Sequence, residues 1–254
     1  MNKILVIKNI LDFKKYRRNL NGTVGFVPTM GALHQGHAYL LKRSVAENDF
    51  TILSIFVNPA QFNDPKDLLK YPRPFADDYE LAVKNNVSAI FYPEYSEIYP
   101  DDYKYSVTEN DFSKILCGSA RPGHFDGVLS VVMKLFNIIK PDSAYFGEKD
   151  YQQLRLITEM TKAFFMDIKI VAVETQRENS GLALSSRNIR LTYENKIKAA
   201  LIFKTITEAK TITEAKNILS DAGFKIDYLE DINHRRYIAA FLEGVRLIDN
   251  VRLK

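Results

Sequence analysis

The chain has 254 residues, 46% of them hydrophobic and 26% charged, enough for a substantial core in one large domain or in a large domain plus a small one. A net charge of +4, with Lys and Arg interleaved among Asp and Glu, is compatible with an anionic substrate and a poor argument for nucleic acid. The single cysteine, Cys117, excludes an intrachain disulfide and a Cys-rich zinc site, and the longest apolar runs are too short for a membrane span, so a cytoplasmic, soluble protein is expected.

Residues 3–7, KILVI, read as a short strand and 9–20 as a helix. GTVGFVPTM reads as a buried strand ending at Pro28, and HAYLLKRSVAEN carries Tyr39, Leu40, Leu41 and Val45 at helical spacing. FTILSIFV, 50–57, is almost continuously apolar, as a central parallel strand covered on both faces must be. ADDYELAVKNN is helical and SAIFYP is another strand. DFSKILC predicts a short helix, and DGVLSVVMKLFNIIK a long buried one ended by Pro141. SAYFGEK is a strand, DYQQLRLITEMTKAFF a helix with Asp150 placed to cap it, and IKIVAVET the next strand. This alternation predicts an α/β fold built on a Rossmann-like, doubly wound parallel sheet.

After about Thr175 the texture changes. RENSGLALSSRN is a polar loop and TYENKIKAALIFKTITEAK a charged helix. The hexad TITEAK occurs twice in succession over 205–216. We read one helix ending and another beginning, with Thr211 and Glu214 in capping-box spacing. FKIDYLE and RRYIAAFLEGVRLID read as strands of a smaller C-terminal α+β domain. The expected organisation is a nucleotide-binding domain over 1–175 and a small lid domain over 176–254.

VPTMGALHQGH, 27–37, joins a strand to a helix start, where α/β sheets bind ligands and where free N–H groups attract phosphate. Gly31 and Gly36 would let backbone approach an anion. His34 and His37, three apart, are placed to serve one ligand and, as donors, to steady charge growing on phosphate oxygens. Zinc is a weaker reading, because two ligands are too few and no third lies near in sequence.

HQGH in this setting resembles the HxGH nucleotidyltransferase superfamily. Further along, SIFVNPAQF, YPR, SARPGHFDGV, YFGEKDYQQL, GLALSSRN and RLIDN follow in order and spacing. With them the chain resembles the pantothenate synthetase (pantoate–β-alanine ligase) family over nearly its whole length. That resemblance implies a two-step ligation. Pantoate and ATP form pantoyl adenylate and pyrophosphate; β-alanine then displaces AMP to give pantothenate. Magnesium would accompany the ATP, and a homodimer through the large domain is expected.

By resemblance, His34 and His37 contact the phosphates, with His37 the foremost transition-state donor, and Met30 and Gly31 line the nucleotide. Gln61 and Gln153 bind pantoate, with Asn58 and His124 also on the substrate side. Gly147, Lys149 and Asp150 form a nucleotide-binding segment, Lys149 on phosphate and Asp150 on ribose or as a helix cap. Leu184, Ser185, Ser186 and Arg187 form a loop closing over the triphosphate, and Gln176 reaches the adenine with its backbone. Asp77, with Asp78, is a magnesium neighbour by analogy, or simply a solvated helix start. His234 reads as a surface residue. DYLEDINHRRYIAAFLEGVRLIDN is shorter than the family pattern, which leaves the motifs intact and bears on the shape of the lid. A different nucleotidyltransferase would not need both glutamines; an RNA-binding relative of tRNA synthetases would want a basic face that the sequence does not offer.

Overall fold

The computed structural model describes residues 3–253; Met1, Asn2 and Lys254, the outer ends of the two expected domains, lie outside the described residues. Strands β1 (Leu5–Ile7), β2 (Val24–Thr29), β3 (Phe50–Ile55), β4 (Ala89–Phe91), β5 (Ser143–Gly147) and β6 (Lys169–Val173) form one parallel sheet in the order β1-β4-β3-β2-β5-β6. All but the first residue of β3 are buried, because helices cover both faces of the sheet. From β2 the chain winds outward through β3 and β4, then returns to lay β5 on the other side of β2. The carboxyl ends of β2 and β5 therefore part around a crevice.

The covering helices are α1 (Ile10–Arg18), α2 (Gln35–Glu47), α3 (Pro65–Leu69), α4 (Phe75–Lys84), α5 (Tyr95–Ile98), α6 (Cys117–Ala120), α7 (His124–Ile139) and α8 (Tyr151–Ala163). One apolar cluster joins Phe26 and Phe146 of the sheet to Phe136 of α7 and Ile157 of α8. A second, on the opposite face, joins Val27 and Ile90 to Leu41 of α2 and Ala82 of α4.

Beyond β6 come α9 (Tyr193–Ala199), α10 (Leu201–Glu208), α11 (Ile212–Asp221) and an antiparallel sheet of β7 (Lys225–Ile232), β8 (Arg235–Leu242) and β9 (Val245–Arg252). These elements share a third cluster that includes Ile206, Leu219, Leu229 and Ile238. Both hairpins turn on two residues, Asn233–His234 (φ 50° and 58°) and Glu243–Gly244 (φ 47° and 78°). Two consecutive positive φ values give the twist that two-residue hairpins need. The short stretch before RLIDN is thus two tight hairpins, and His234 is exposed at the first turn.

Some local expectations change. DFSKILC is a 3₁₀ turn, Phe112–Lys114, separated from α6 by Leu116 at φ 52°. The long buried helix ends at Lys140 in a left-handed conformation, one residue before Pro141. The charged helix is divided between α9 and α10 at Ala200. Asp150 occupies the N-cap position of α8, but its side chain makes no capping hydrogen bond. At α11 the Thr211 side chain accepts from Glu214 N–H, and the Glu214 carboxylate accepts from Lys210 N–H at 2.8 Å.

Arg236, 3% exposed, grips Asp231 at 2.8 and 2.9 Å and donates to the Ala209 carbonyl past the end of α10 at 2.6 Å. Arg236→Met leaves that carbonyl and Asp231 without their donor. We expect a loss of about 2–3 kcal/mol in a urea-unfolding measurement; an unchanged midpoint would show that the guanidinium is not needed there.

Candidate active site

A cleft of about 240 Å³ opens at the crevice between β2 and β5. Thr29 ends β2 and Met30 follows it into the cleft, and His34, Gly36 and His37 enter from the start of α2. Gly147, Lys149, Asp150 and Gln153 come from the β5–α8 connection, Gln61 from the Pro59–Gln61 turn, and Gln176 and Leu184–Arg187 from the loop after β6.

The two histidines build the start of their own helix. His34 is the N-cap of α2, and its Nδ1 accepts from Gly36 N–H at 3.1 Å; His37 Nδ1 accepts from His34 N–H at 3.2 Å. This is a capping box made of imidazoles. An accepting Nδ1 on a neutral ring places the proton on Nε2, and the rings lie 4.1 Å apart between centroids. Burial, reinforced by Lys149, pushes the His34 pKa down to about 4. Burial, then His34 and Lys149, pushes His37 down to about 3. Both are neutral Nε2–H donors at pH 7. Gly36 is required by proximity: a Cβ there would stand 2.8 Å from the His34 ring.

Gly31 does not line the cleft. It turns the chain at φ 79°, and Ala32 follows at φ 51°. The backbone N–H groups this exposes are taken by an internal anion: Asp78 accepts from Ala32 N–H at 2.9 Å and Leu33 N–H at 2.6 Å. Asp78 therefore braces the loop, and Asp77 is exposed on α4, away from the cleft.

Asn58 is fully buried and saturated. Its Oδ1 accepts from Tyr99 Oη–H at 2.9 Å, and its Nδ2 donates to the Gly127 carbonyl and to Gln61 Oε1, each at 3.0 Å. That chain orients the Gln61 amide, leaving Nε2 beside Met30 Sδ at 3.1 Å. Asn58 acts on Gln61 rather than outward. His124 is likewise set behind Gln61, outside the cleft. Its Nδ1 donates to the Gln61 carbonyl at 2.8 Å and its Nε2 accepts from Arg121 at 3.1 Å. Burial, then Arg121, lowers its pKa to about 3. The adjacent glutamines of DYQQL divide. Gln152 is buried and tethers Cys117 N–H and the Phe112 and Ile115 carbonyls, while Gln153 faces the cleft.

On the opposite wall Lys149 reaches Asp150 at 3.7 Å. Ser185 Oγ caps the 3₁₀ turn Ser186–Arg190 by accepting from Arg187 N–H at 3.2 Å. Arg187 and Arg190 both reach Asp67 of α3 at 3.4 Å. The Gln176 carbonyl accepts from Leu184 N–H at 2.9 Å, and its side chain turns back to Glu174.

Three participants escape sequence reasoning. Tyr71, from the YPR motif, lines the cleft beside Ser186. Asn250 of RLIDN donates to the Glu148 and Lys149 carbonyls at 2.9 Å each. Asp249 holds Arg177 in a two-point pair at 2.6 and 2.8 Å. For the last two the signal was an adjacent polar pair between Ile248 and Val251 of β9.

Because the three histidine pKa values fall below that of a free imidazole, protonation favours the unfolded chain. Their contribution to stability is complete above about pH 6.5 and is lost as pH falls toward the folded values near 4 and 3. Tm is expected to fall between pH 7 and pH 5, and to fall less in His124→Asn, whose amide retains a donor for the Gln61 carbonyl. A Tm that rises on acidification over this range contradicts neutral burial.

A family model described as pantoate–β-alanine ligase matches residues 4–252. Pantothenate synthetase of Bdellovibrio bacteriovorus is 58% identical over 248 residues, covering 98% of this chain and 99% of that protein. The Legionella pneumophila (strain Lens) protein of that name is 46% identical over 250 residues, covering 98% and 99%. Among solved structures, the pantoate–β-alanine ligase of Francisella tularensis complexed with β,γ ATP and β-alanine superposes with a TM-score of 0.93 at 41% identity, covering 98% and 97%. Pantothenate synthetase from Thermus thermophilus gives 0.91 at 34% identity, covering 98% and 99%.

Proposed function

The chain belongs to the pantoate–β-alanine ligase family, and from that membership we propose how its own residues carry out the ATP-dependent formation of pantothenate. In the first half-reaction a pantoate carboxylate oxygen bonds to the α-phosphorus of ATP and pyrophosphate leaves. In the second the β-alanine nitrogen bonds to the acyl carbon, AMP leaves, and the nitrogen gives up its proton. The observation that carries this reading is the pair of neutral imidazoles presenting Nε2–H beside Lys149 at the switch point of the sheet.

His34 and His37 donate to phosphate oxygens whose charge grows as the α-phosphorus is attacked. A ring with a pKa near 3 or 4 acts as a hydrogen-bond donor and does not need to release a proton. Lys149, Ser185, Ser186 and Arg187 hold the triphosphate, with Met30, Gly147, Leu184 and the Gln176 backbone around the nucleoside and Asp150 on the ribose. Gln61 and Gln153 orient pantoate for in-line attack. Gln61 presents its amide NH2, because Asn58 occupies its oxygen. Asn58 and His124 are positioning residues.

Among the described residues no group of three or more His, Cys, Asp or Glu side chains is gathered to hold a metal. Both Asp78 oxygens are engaged by backbone, and Asp77 faces away. These residues do not make a cage for magnesium, so we assign it none, and in our reading it enters with the nucleotide phosphates. We further propose a homodimer through the large domain, working units over 1–175 and 176–254, and action in the cytoplasm. No described helix is long and apolar enough to cross a membrane.

The test is pyrophosphate release from ATP and magnesium with and without pantoate, before β-alanine is added. Release that requires pantoate, followed by turnover on adding β-alanine, is expected. ATP binding with indifference to pantoate would overturn the substrate assignment.

A further inference from the structure

A second cavity, of about 60 Å³, lies against the cleft where α7, α8 and the antiparallel sheet meet. Lys149, Asp150, Gln153 and Arg187 wall both spaces. The rest of its lining is contributed in part by Arg121, Arg246 and Tyr237.

Its charge is unbalanced. Lys149 has Asp150, Arg246 has Asp227 at 2.8 Å, and the Asp249 that also lines it is matched by Arg177. Arg187 shares a single carboxylate, Asp67, with Arg190. Arg121 has no carboxylate partner among the described residues; its hydrogen bonds go to His124 and the Gln61 carbonyl. Arg187 and Arg246 lie close enough to repel it, and burial and that repulsion bring its pKa down to about 10. Gathering unpaired guanidinium charge in a half-buried space is costly unless an anion arrives to compensate it. Tyr237 adds a hydroxyl that has no hydrogen-bond partner among the described residues, although the residue is only 4% exposed.

We propose that this cavity is the carboxylate subsite for the second substrate, a short ω-amino acid, held by Arg121, Arg246 and Tyr237 with its amine directed past Gln153 into the cleft. The proposal rests on the ligase reading above and adds the location of the amine donor. The cavity is too small for a nucleotide, and the acyl adenylate fills the cleft itself. The amine must therefore come from a side that the nucleotide does not occupy. A wall shared through Gln153 offers that approach, because Gln153 is one of the two residues read as holding the acyl group. A carboxylate separated from the amine by two methylenes suits a cationic pocket one side chain away from the acyl carbon.

An anionic pocket next to Lys149 and Arg187 would also suit the departing pyrophosphate, and the experiment separates the two. Arg121→Gln and Arg246→Gln are assayed in each half-reaction: pantoate-dependent ATP–pyrophosphate exchange, then single-turnover consumption of pantoyl adenylate by β-alanine or by its uncharged amide. The subsite predicts that KM for β-alanine rises about tenfold or more in Arg121→Gln. It rises severalfold in Arg246→Gln, whose side chain touches neither glutamine. Neither substitution lowers reaction with the amide beyond any loss of exchange in the same variant, and exchange is retained within about threefold in Arg246→Gln. Equal losses for β-alanine and the amide would overturn the proposal, since a merely structural role does not read the substrate's charge. Loss confined to exchange would assign the pocket to pyrophosphate instead. If the unaltered protein shows no pantoate-dependent exchange, the ligase reading fails first and the subsite falls with it; if exchange is normal and only the carboxylate preference is absent, the subsite alone is wrong. Tyr237→Phe, which keeps the ring packing, serves if an arginine variant does not fold.

Discussion

His34→Asn and His37→Asn are each expected to lower pantoate-dependent pyrophosphate release by about 10²–10³-fold, the cost of removing one preorganised donor from a developing oxyanion, with little change in Tm. The choice of asparagine follows from the capping box. An asparagine amide oxygen lies as many bonds from Cα as the imidazole Nδ1, so it can accept from Gly36 N–H or His34 N–H and preserve the start of α2. It does not reach as far as Nε2. Alanine removes both functions and should add a stability loss of about 0.5–2 kcal/mol. Comparison of the two substitutions separates scaffold from chemistry at each ring. Since both rings remain neutral well below pH 6.5, the defect should be equal at pH 6 and pH 8. Near-normal release in His37→Asn would remove Nε2–H from the mechanism.

Gly127→Ala should impair pantoate handling more than ATP handling. Here α7 passes so close to the Pro59–Gln61 turn that a Cβ at residue 127 would collide with the Ala60 carbonyl oxygen and stand 2.7 Å from Gln61 N. The Gly127 carbonyl also accepts from Asn58. Relief requires the turn and helix to move apart, at about 1–3 kcal/mol, and the turn carries Gln61. A displacement of about 1 Å at a substrate-orienting group is worth up to about 10² in rate. We expect KM for pantoate to rise at least about tenfold, with KM for ATP nearly unchanged and Tm lowered. A lower Tm with normal pantoate KM would mean that Gln61 does not bind that substrate.

The sheet was legible because its strands are short apolar runs separated by helical periodicity, and HQGH was legible because it sits between a strand and a helix. Helix α3 was also within reach, since Asp64 and Pro65 are an N-cap and first-turn proline in NDPKDL. It was missed for want of a long apolar stripe. Another kind of information was absent altogether. Asn58, Asp78, His124 and Gln152 are polar residues in or near motifs, and the local sequence does not say whether such a group faces a ligand or another segment. Each has a partner 35 to 69 residues away. Gln152 and Gln153 are chemically identical neighbours, and only the rotation of α8 against Cys117 sends one inward and the other to the cleft. The break at Leu116 depends on a positive φ at a leucine, which local propensity disfavours.

The hold of Asn250 on the Glu148 and Lys149 carbonyls has a bearing on how the protein is made. Ribosomes build from the N-terminus, so the residues of the six-stranded sheet and both histidines are synthesised before β9. The lysine loop gains its brace only when β9 arrives. A chain that has not yet reached β9 would carry the sheet and both histidines without that brace on the Glu148–Lys149 backbone.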